Sequence, residues 1–481
     1  MTTPTDFLTQ HLGSLPIGDV LAAYDAWWQA RGLAISAAVD RQGTPWLRMF
    51  DALGQRVDEI LYPPEYWAML REGYRAGVVL RGVEHAGQPA DLKAAYLLGY
   101  VAAFYDPGLY CPYTVSLSTA VPLSKYGSDL VRARYLPQLL RRDDEVWQGA
   151  TWMTEAGGGS DLGAGVQTVA EPAGDGWHLT GDKYFASNAG AELAVVAARP
   201  AGAPAGVRGL ALFLVPRRRE DGSLNYTIRR LKDKIATRSV PTGEIELRDS
   251  EAHLLGEAGQ GVYLILETLN LSRVANSIGA AALAQRALAE ARRFAQGRVA
   301  FGRPVIEHPL LARQFAERER AAQAAFALAW EAVRLLDDCW QERPPYSPRY
   351  HRFRLVAHLA KYFTAEVAVH TARWAMEVFG GVGVLAENGV ERLLREAMIL
   401  SIWEGTPHRQ MLDGLEVMLR QDAHHLLLDH LAERGVPRPA LSALEARLSA
   451  WLALPAPERE SEAEAVFAPF AAAVASWLAE Y

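Results

Sequence analysis

Through most of the first 149 residues, apolar side chains recur at three- and four-residue spacing, which is the pattern of helices with one buried face. The spacing predicts helices over residues 17–31 and 66–77, interrupted by Gly and Pro breaks such as Pro63 and Pro64. Near Gly149 the pattern changes to short β-like runs at 177–180, 184–186, 193–198, 210–215 and 244–247. Gly, Pro and Asp punctuate these runs, predicting a compact β domain, a barrel or a sandwich. From about Gly261 helical periodicity returns in long segments, 262–296, 310–336 and 353–379. The glycines Gly380, Gly381 and Gly383 follow the last of these. Long helices with short connections predict a bundle. A helical tail follows, with segments at 440–454 and 465–478 joined by a solvated acidic linker holding Glu458, Glu460, Glu462 and Glu464. The strands and helices do not alternate, so the glycine-rich stretches are not dinucleotide fingerprints of the Rossmann kind.

At 481 residues the chain exceeds one ordinary core, and domains are expected at 1–149, 150–260, 261–420 and 421–481. A net charge of -7 argues against a general nucleic-acid binder, and Arg141-Arg142 and Arg217-Arg218-Arg219 are only short basic runs. The cysteines, Cys111 and Cys339, give neither a disulfide framework nor zinc spacing, which fits a reducing, cytoplasmic setting with no metal. The N-terminus lacks the layout of a signal peptide, and no apolar run predicts a membrane span. Trp46, Tyr62, Trp67, Tyr105 and Tyr110 read as packing residues. The hydroxyl-rich stretch 116–122, SLSTAVP, is a candidate border of a cleft.

Candidate chemistry lies at five places. In SIWEGTPHRQM, residues 401–411, Thr406 and Pro407 signal a helix start, and Glu404 stands in the loop before it. It is either a charge near a helix dipole or a working carboxylate. The run Met153 to Asp161, MTEAGGGSD, offers glycines for close backbone approach and the hydroxyls of Thr154 and Ser160, or is simply a surface loop. Phe185 and Ser187, in KYFAS, suit covering and hydrogen-bonding a ring, or barrel core. Arg298 and Phe301 supply a cation and a ring fit for a pyrophosphate and an adenine. Phe379, Gly380 and Gly381 make a tight helix end.

The order TE-x-GGGSD, KYFAS, R-x-x-FG, F-GG and EGT resembles the acyl-CoA dehydrogenase family over some 300 residues. The stretch Arg230-Leu231-Lys232-Asp233-Lys234, with Arg238 and Ser239 after it, is similar to the AidB-type branch of alkylation-response flavoproteins. The resemblance implies an α+β fold with an N-terminal helical domain, a middle β domain and a C-terminal four-helix bundle, here with an extra helical tail. It also implies FAD, an acyl-CoA substrate, a homotetramer and an electron-transfer flavoprotein as electron acceptor; the acidic net charge and short basic runs argue against a DNA partner without excluding one, and no membrane partner is expected. By matched position, Glu404 is the general base. Ser160, Arg273 and Gly405 lie on the substrate side. Met153, Thr154, Ser160, Phe185 and Ser187 belong to loops around the flavin. Thr406, with His408 near it, matches the diphosphate region. Arg298, Phe301, Glu377, Gly380 and Gly381 reach the FAD of a neighbouring subunit.

Five positions depart from the family pattern. Phe185 and Ser187 stand where Trp and Thr are usual, Glu377 where Gln is common, and Pro407 and His408 follow Thr406. Some relatives keep a base beside the arginine of the long helix; that position is Ser272 here, leaving Glu404. The implied reaction takes an α proton to Glu404 while hydride leaves the β carbon for flavin N5. Burial should raise the pKa of Glu404 and the helix start should lower it. The alternatives are an AidB-like DNA-associated flavoprotein with weak dehydrogenase activity, and a non-catalytic acyl-CoA binder.

Overall fold

The computed structural model describes residues 3–481, which divide into two units. One is Leu15–Ser272; the other joins the N-terminal segment up to Ser14 with Arg273–Tyr481.

In the first unit, helices Gly18–Trp27, Leu33–Gln42, Tyr66–Ala76, Leu92–Tyr105, Pro107–Tyr126 and Asp129–Leu139 precede the sheet. Helix Leu92–Tyr105 is buried on nearly all sides, so it shows little amphipathic stripe. Asp106 links it to the next helix: its carboxylate accepts from Leu109 N at 2.9 Å and from Ser36 Oγ at 2.7 Å. The stretch 116–122 lies inside helix Pro107–Tyr126 rather than in an open loop. Its buried hydroxyls instead dock the chain that follows. Ser116 Oγ accepts from Gly149 N at 2.9 Å, and Thr119 Oγ1 donates to Ala150 O at 2.9 Å.

Helical periodicity also gives no sign of a hairpin, β1 (Trp46–Phe50) and β2 (Arg56–Leu61), within the helical part. The ribbon is short and alternately exposed, so it leaves only a weak apolar pattern. Trp46 is 76% exposed on it and lies outside the core of this unit. The buried carboxylate of Asp58 fastens the ribbon by accepting from Ile228 N at 2.8 Å.

The β domain comprises β3 (Gly149–Trp152), β4 (Val169–Ala173), β5 (Gly176–Ser187), β6 (Leu193–Pro200), β7 (Ala211–Pro216), β8 (Thr227–Leu231) and β9 (Thr242–Leu255). Pairing runs β3-β6-β4-β5-β9-β7, and β7 also pairs with β6, which closes the sheet into a barrel. The β8 strand adds to β9. Val196, Phe213, Ile245 and Leu247 fill its interior.

In the second unit, helix Gly261–Gly297 (from Arg273 onward) packs with Pro309–Cys339, Pro348–Phe379 and Val390–Ile402 around Leu283, Phe315, Trp374 and Phe379. Helix Pro4–Leu12 belongs here, with Phe7 edge-on to Phe326 at 5.1 Å. The acidic linker of the tail is ordered as the short helix Ala456–Ser461. Among the described residues, helix Ala463–Glu480 is long and apolar enough to cross a bilayer. Its Phe467, Phe470 and Val474 are buried within the unit, as expected of a core helix.

Candidate active site

Glu404 stands between helix Val390–Ile402 and helix Pro407–Gln421. Thr406 is in the N-cap position and Pro407 begins the helix, although the Thr406 hydroxyl makes no capping bond. The backbone turns through two left-handed residues, Glu404 at φ +58° and Gly405 at φ +100°. A Cβ at 405 would sit 2.5 Å from Gln410 Nε2, so only glycine fits. A non-glycine residue such as Glu404 in that region costs roughly 1–3 kcal/mol, so the surrounding structure must hold it.

Three side chains do so through the loop's carbonyls. Gln410 Nε2 donates to Glu404 O at 2.9 Å and to Gly405 O at 3.0 Å. Lys361 Nζ donates to Gly405 O at 2.7 Å and to Ser401 O at 2.8 Å. Arg273 Nε donates to Glu404 O at 3.3 Å. His358 Nδ1 lies 2.8 Å from Gln410 Oε1 and orients that amide. One turn along the long helix from Arg273, Asn276 donates to Leu400 O at 3.0 Å and receives the Trp403 indole.

The loop's carbonyls are thus engaged while Oε2 of the side chain is not. Glu404 Oε2 is buried and has no hydrogen-bond partner. Burial pushes the carboxyl up to about 7, against the opposing pull of the Arg273 and Lys361 charges. Those two cations, more than the helix start, oppose burial here. Lys361 has no exposed surface, and the same burial lowers its ammonium to about 7. Asp413 stands 3.5 Å from Arg273 and accepts from Arg409 Nε at 2.8 Å, which tempers the positive charge. A buried carboxylate that titrates near neutrality with an open lone pair is equipped to take a proton.

Lys361, Gln410, His358 and Asp413 escaped the sequence reading. The available signal was Lys361 itself, a lysine in an otherwise apolar stretch of helix, with His358 one turn before it on the same face.

Elsewhere in this unit, Phe294 and Phe379 stack at 4.3 Å, so the Arg298 turn and the Gly380 turn leave from neighbouring helix ends. Arg298 is exposed, and Phe301, at the turn of the hairpin β10 (Val299–Ala300) and β11 (Arg303–Pro304), is 96% exposed. A Cβ at Gly380 or Gly381 would meet nothing within 4 Å. Glu377 is exposed and paired with Arg373 at 3.3 Å, and His408 is exposed on the first turn of its helix.

In the barrel unit, Tyr184 N donates to Thr154 O at 3.0 Å, and Trp152 Nε1 donates to Ser187 O at 3.0 Å, which gathers Thr154, Phe185 and Ser187. Met153 is buried, Ser160 is exposed farther along the glycine loop, and Phe185 is 55% exposed. A Cβ at Gly159 would sit 2.5 Å from Thr154 Oγ1. Glu155 anchors the loop, its buried carboxylate accepting from Lys183 Nζ at 2.6 Å and Thr168 Oγ1 at 2.6 Å. Burial pushes Glu155 up, but the Lys183 ammonium and these donors leave it below the ordinary carboxylate range.

Models of the acyl-CoA dehydrogenase C-terminal domain, the acyl-CoA dehydrogenase middle domain and the AidB N-terminal domain match residues 259–419, 150–250 and 9–145. The putative acyl-CoA dehydrogenase AidB of Escherichia coli K12 is 30% identical over 403 residues, 80% of this chain and 71% of that protein. The chain belongs to the acyl-CoA dehydrogenase family. Its AidB-like character follows from the same relative and from the N-terminal match. Acyl-CoA dehydrogenase family member 11 of Caenorhabditis elegans is 31% identical over 384 residues, which is 78% of this chain and 62% of the longer worm protein. The crystal structure of worm ACDH-11 in complex with C11-CoA aligns with a TM-score of 0.83 at 27% identity, covering 99% of this chain and 85% of that one.

Proposed function

We propose that the protein is an FAD-dependent acyl-CoA dehydrogenase that removes two hydrogens across the α and β carbons of an acyl thioester, with Glu404 as general base. The observation that carries this reading is the buried, unpartnered Oε2 of Glu404 on a loop whose carbonyls are held by Gln410, Lys361 and Arg273. A carboxylate retained only for its charge near a helix start would face water or pair with a cation. Oε2 of Glu404 does neither.

The residues present fit FAD. Phe185 offers an exposed ring and Ser187 a hydroxyl beside it, and Gly380 and Gly381 leave room for close approach to their backbone. Arg298 and the nearly bare Phe301 suit a diphosphate and an adenine. Their exposure in the single chain supports a site completed by a neighbouring copy, as in a homotetramer. When bound, the flavin supplies a hydride acceptor.

The protein's own task is the proton. A thioester α-CH is a weak acid, so Glu404 must be both ionised and basic. A carboxyl titrating near 7 meets both needs at neutral pH, and general-base catalysis of this kind contributes typically ~10²–10⁴-fold. Lys361, Gln410 and Arg273 fix the loop so that the carboxylate does not have to be oriented at each turnover.

The short basic runs do not favour a DNA-associated role. Arg141 bonds Asp143 and Glu145, Arg142 bonds Arg75 O, and Arg217 and Arg219 bond backbone carbonyls. The test is anaerobic mixing of the purified yellow protein with acyl-CoAs of increasing chain length. Bleaching of the flavin by at least one of them supports dehydrogenation. Binding of acyl-CoA without bleaching would assign the protein to sequestration instead.

A further inference from the structure

Ser187 and Thr242 are direct partners in the antiparallel pairing of β5 with β9, and their hydroxyl oxygens lie 3.2 Å apart. The loop after β8 folds back over this pair. Lys232 N donates to Thr242 O at 2.8 Å, and Lys234 Nζ donates to Thr242 Oγ1 at 2.9 Å and to Val240 O at 3.1 Å. An ammonium has no lone pair, so in the bond with Lys234 the Thr242 oxygen accepts. Thr242 is 2% exposed, and Ser187 is its other side-chain partner. If Ser187 also donated to Thr242, the threonine proton would be buried without an acceptor, at the cost of an unsatisfied group. The arrangement with no buried orphan runs from Lys234 to Thr242 to Ser187. It leaves the proton of Ser187, a half-buried residue beside the exposed Phe185 ring, free to point outward.

We propose that Lys234, acting through Thr242, fixes the Ser187 hydroxyl as an outward hydrogen-bond donor to an acceptor atom on the flavin ring. This rests on the FAD reading above. Lys234 and Thr242 are positioning residues, since neither touches the ring. Their chemistry explains why a lysine and a threonine stand beside a serine that substitutes for the family's more usual threonine: serine has more rotamer freedom, and the relay removes the ambiguity of its proton.

The test compares FAD affinity of the apoprotein and the visible flavin spectrum across Ser187→Ala, Thr242→Val, Thr242→Ser, Lys234→Met and the double variant Ser187→Ala/Thr242→Val. Loss of one donor should weaken FAD binding about 3–10-fold and shift the spectrum. Thr242→Val and Lys234→Met should move both readouts toward Ser187→Ala, Thr242→Ser should restore them, and the double variant should be no worse than Ser187→Ala alone. Lys234 is only half-buried, so its variant gives a reading even if Thr242→Val fails to fold. Wild-type spectra and affinity in Thr242→Val and Lys234→Met, with an altered Ser187→Ala, overturn the relay alone. Additive effects in the double variant also overturn it. A wild-type apoprotein that takes up no FAD overturns the relay and the flavin reading together.

Discussion

Lys361 and Gly405 are joined by a 2.7 Å hydrogen bond from a fully buried ammonium to the carbonyl of the residue after Glu404. The same ammonium reaches the last turn of the preceding helix at Ser401 O. One side chain therefore sets both the path of the loop and part of the electrostatic field at the carboxylate.

The first expectation follows from the sign of that field. Lys361→Met removes one of two cations that favour ionised Glu404, so the carboxyl moves above its present value of about 7. The acid limb of the pH profile for flavin reduction should move up by about one unit, and the rate at pH 7 should fall roughly fivefold. Stability should change little, within about 1–2 kcal/mol, because Gly405 O keeps Gln410 while the cost of burying an ammonium disappears. An unmoved acid limb would separate Lys361 from the base.

Asp413→Asn should act in the opposite direction. It strips the counter-charge from Arg273, whose field at Glu404 then strengthens, so the carboxyl ionises at lower pH. The acid limb should move down, and a shift upward would contradict the geometry.

Much of this architecture is legible in the sequence because it rests on long periodic segments. The helices ending near Gly297 and Phe379 and the change of pattern at Gly149 all announce themselves locally. The β1–β2 ribbon does not, since a short ribbon exposed on one face carries almost no apolar period. Small and hydroxyl side chains suggested a cleft border at 116–122, and their pattern gave no sign that Ser116 and Thr119 bond Gly149 and Ala150, 33 and 31 residues on. Glu404 and Arg273 could be matched to a motif. Lys361 and His358 are tied to the site by bonds that span 44 and 52 residues, which no local pattern records.

The glycine loop should depend on its buried ion pair. Lys183→Met leaves Glu155 buried with hydroxyl and amide donors but no cation, and removing one partner of such a pair costs about 3–5 kcal/mol. Chemical denaturation should read this loss, with FAD content falling alongside it. Adding Glu155→Gln should recover part of the loss; a single variant as stable as wild type would remove the anchoring role.

Arg298→Ala tests the subunit arrangement. FAD content and oligomer size should fall together, because one exposed turn is assigned to a neighbour's dinucleotide. Loss of neither would withdraw the assignment of Arg298.

Glu404→Gln tests the central claim most directly. The variant should fold. The folded carboxyl titrates near 7 against an ordinary 4.5, so stability from its neutral form is present below 4.5 and lost as pH rises through 7. Glutamine should therefore match wild type in acid and exceed it at pH 8. The deciding measurement is anaerobic stopped-flow reduction of the flavin by an acyl-CoA that bleaches the wild type. Glu404→Gln should still bind that acyl-CoA, seen as a shift of the flavin spectrum, and be reduced at least ~10²–10⁴-fold more slowly. Reduction as fast as wild type would show that Glu404 is not the base.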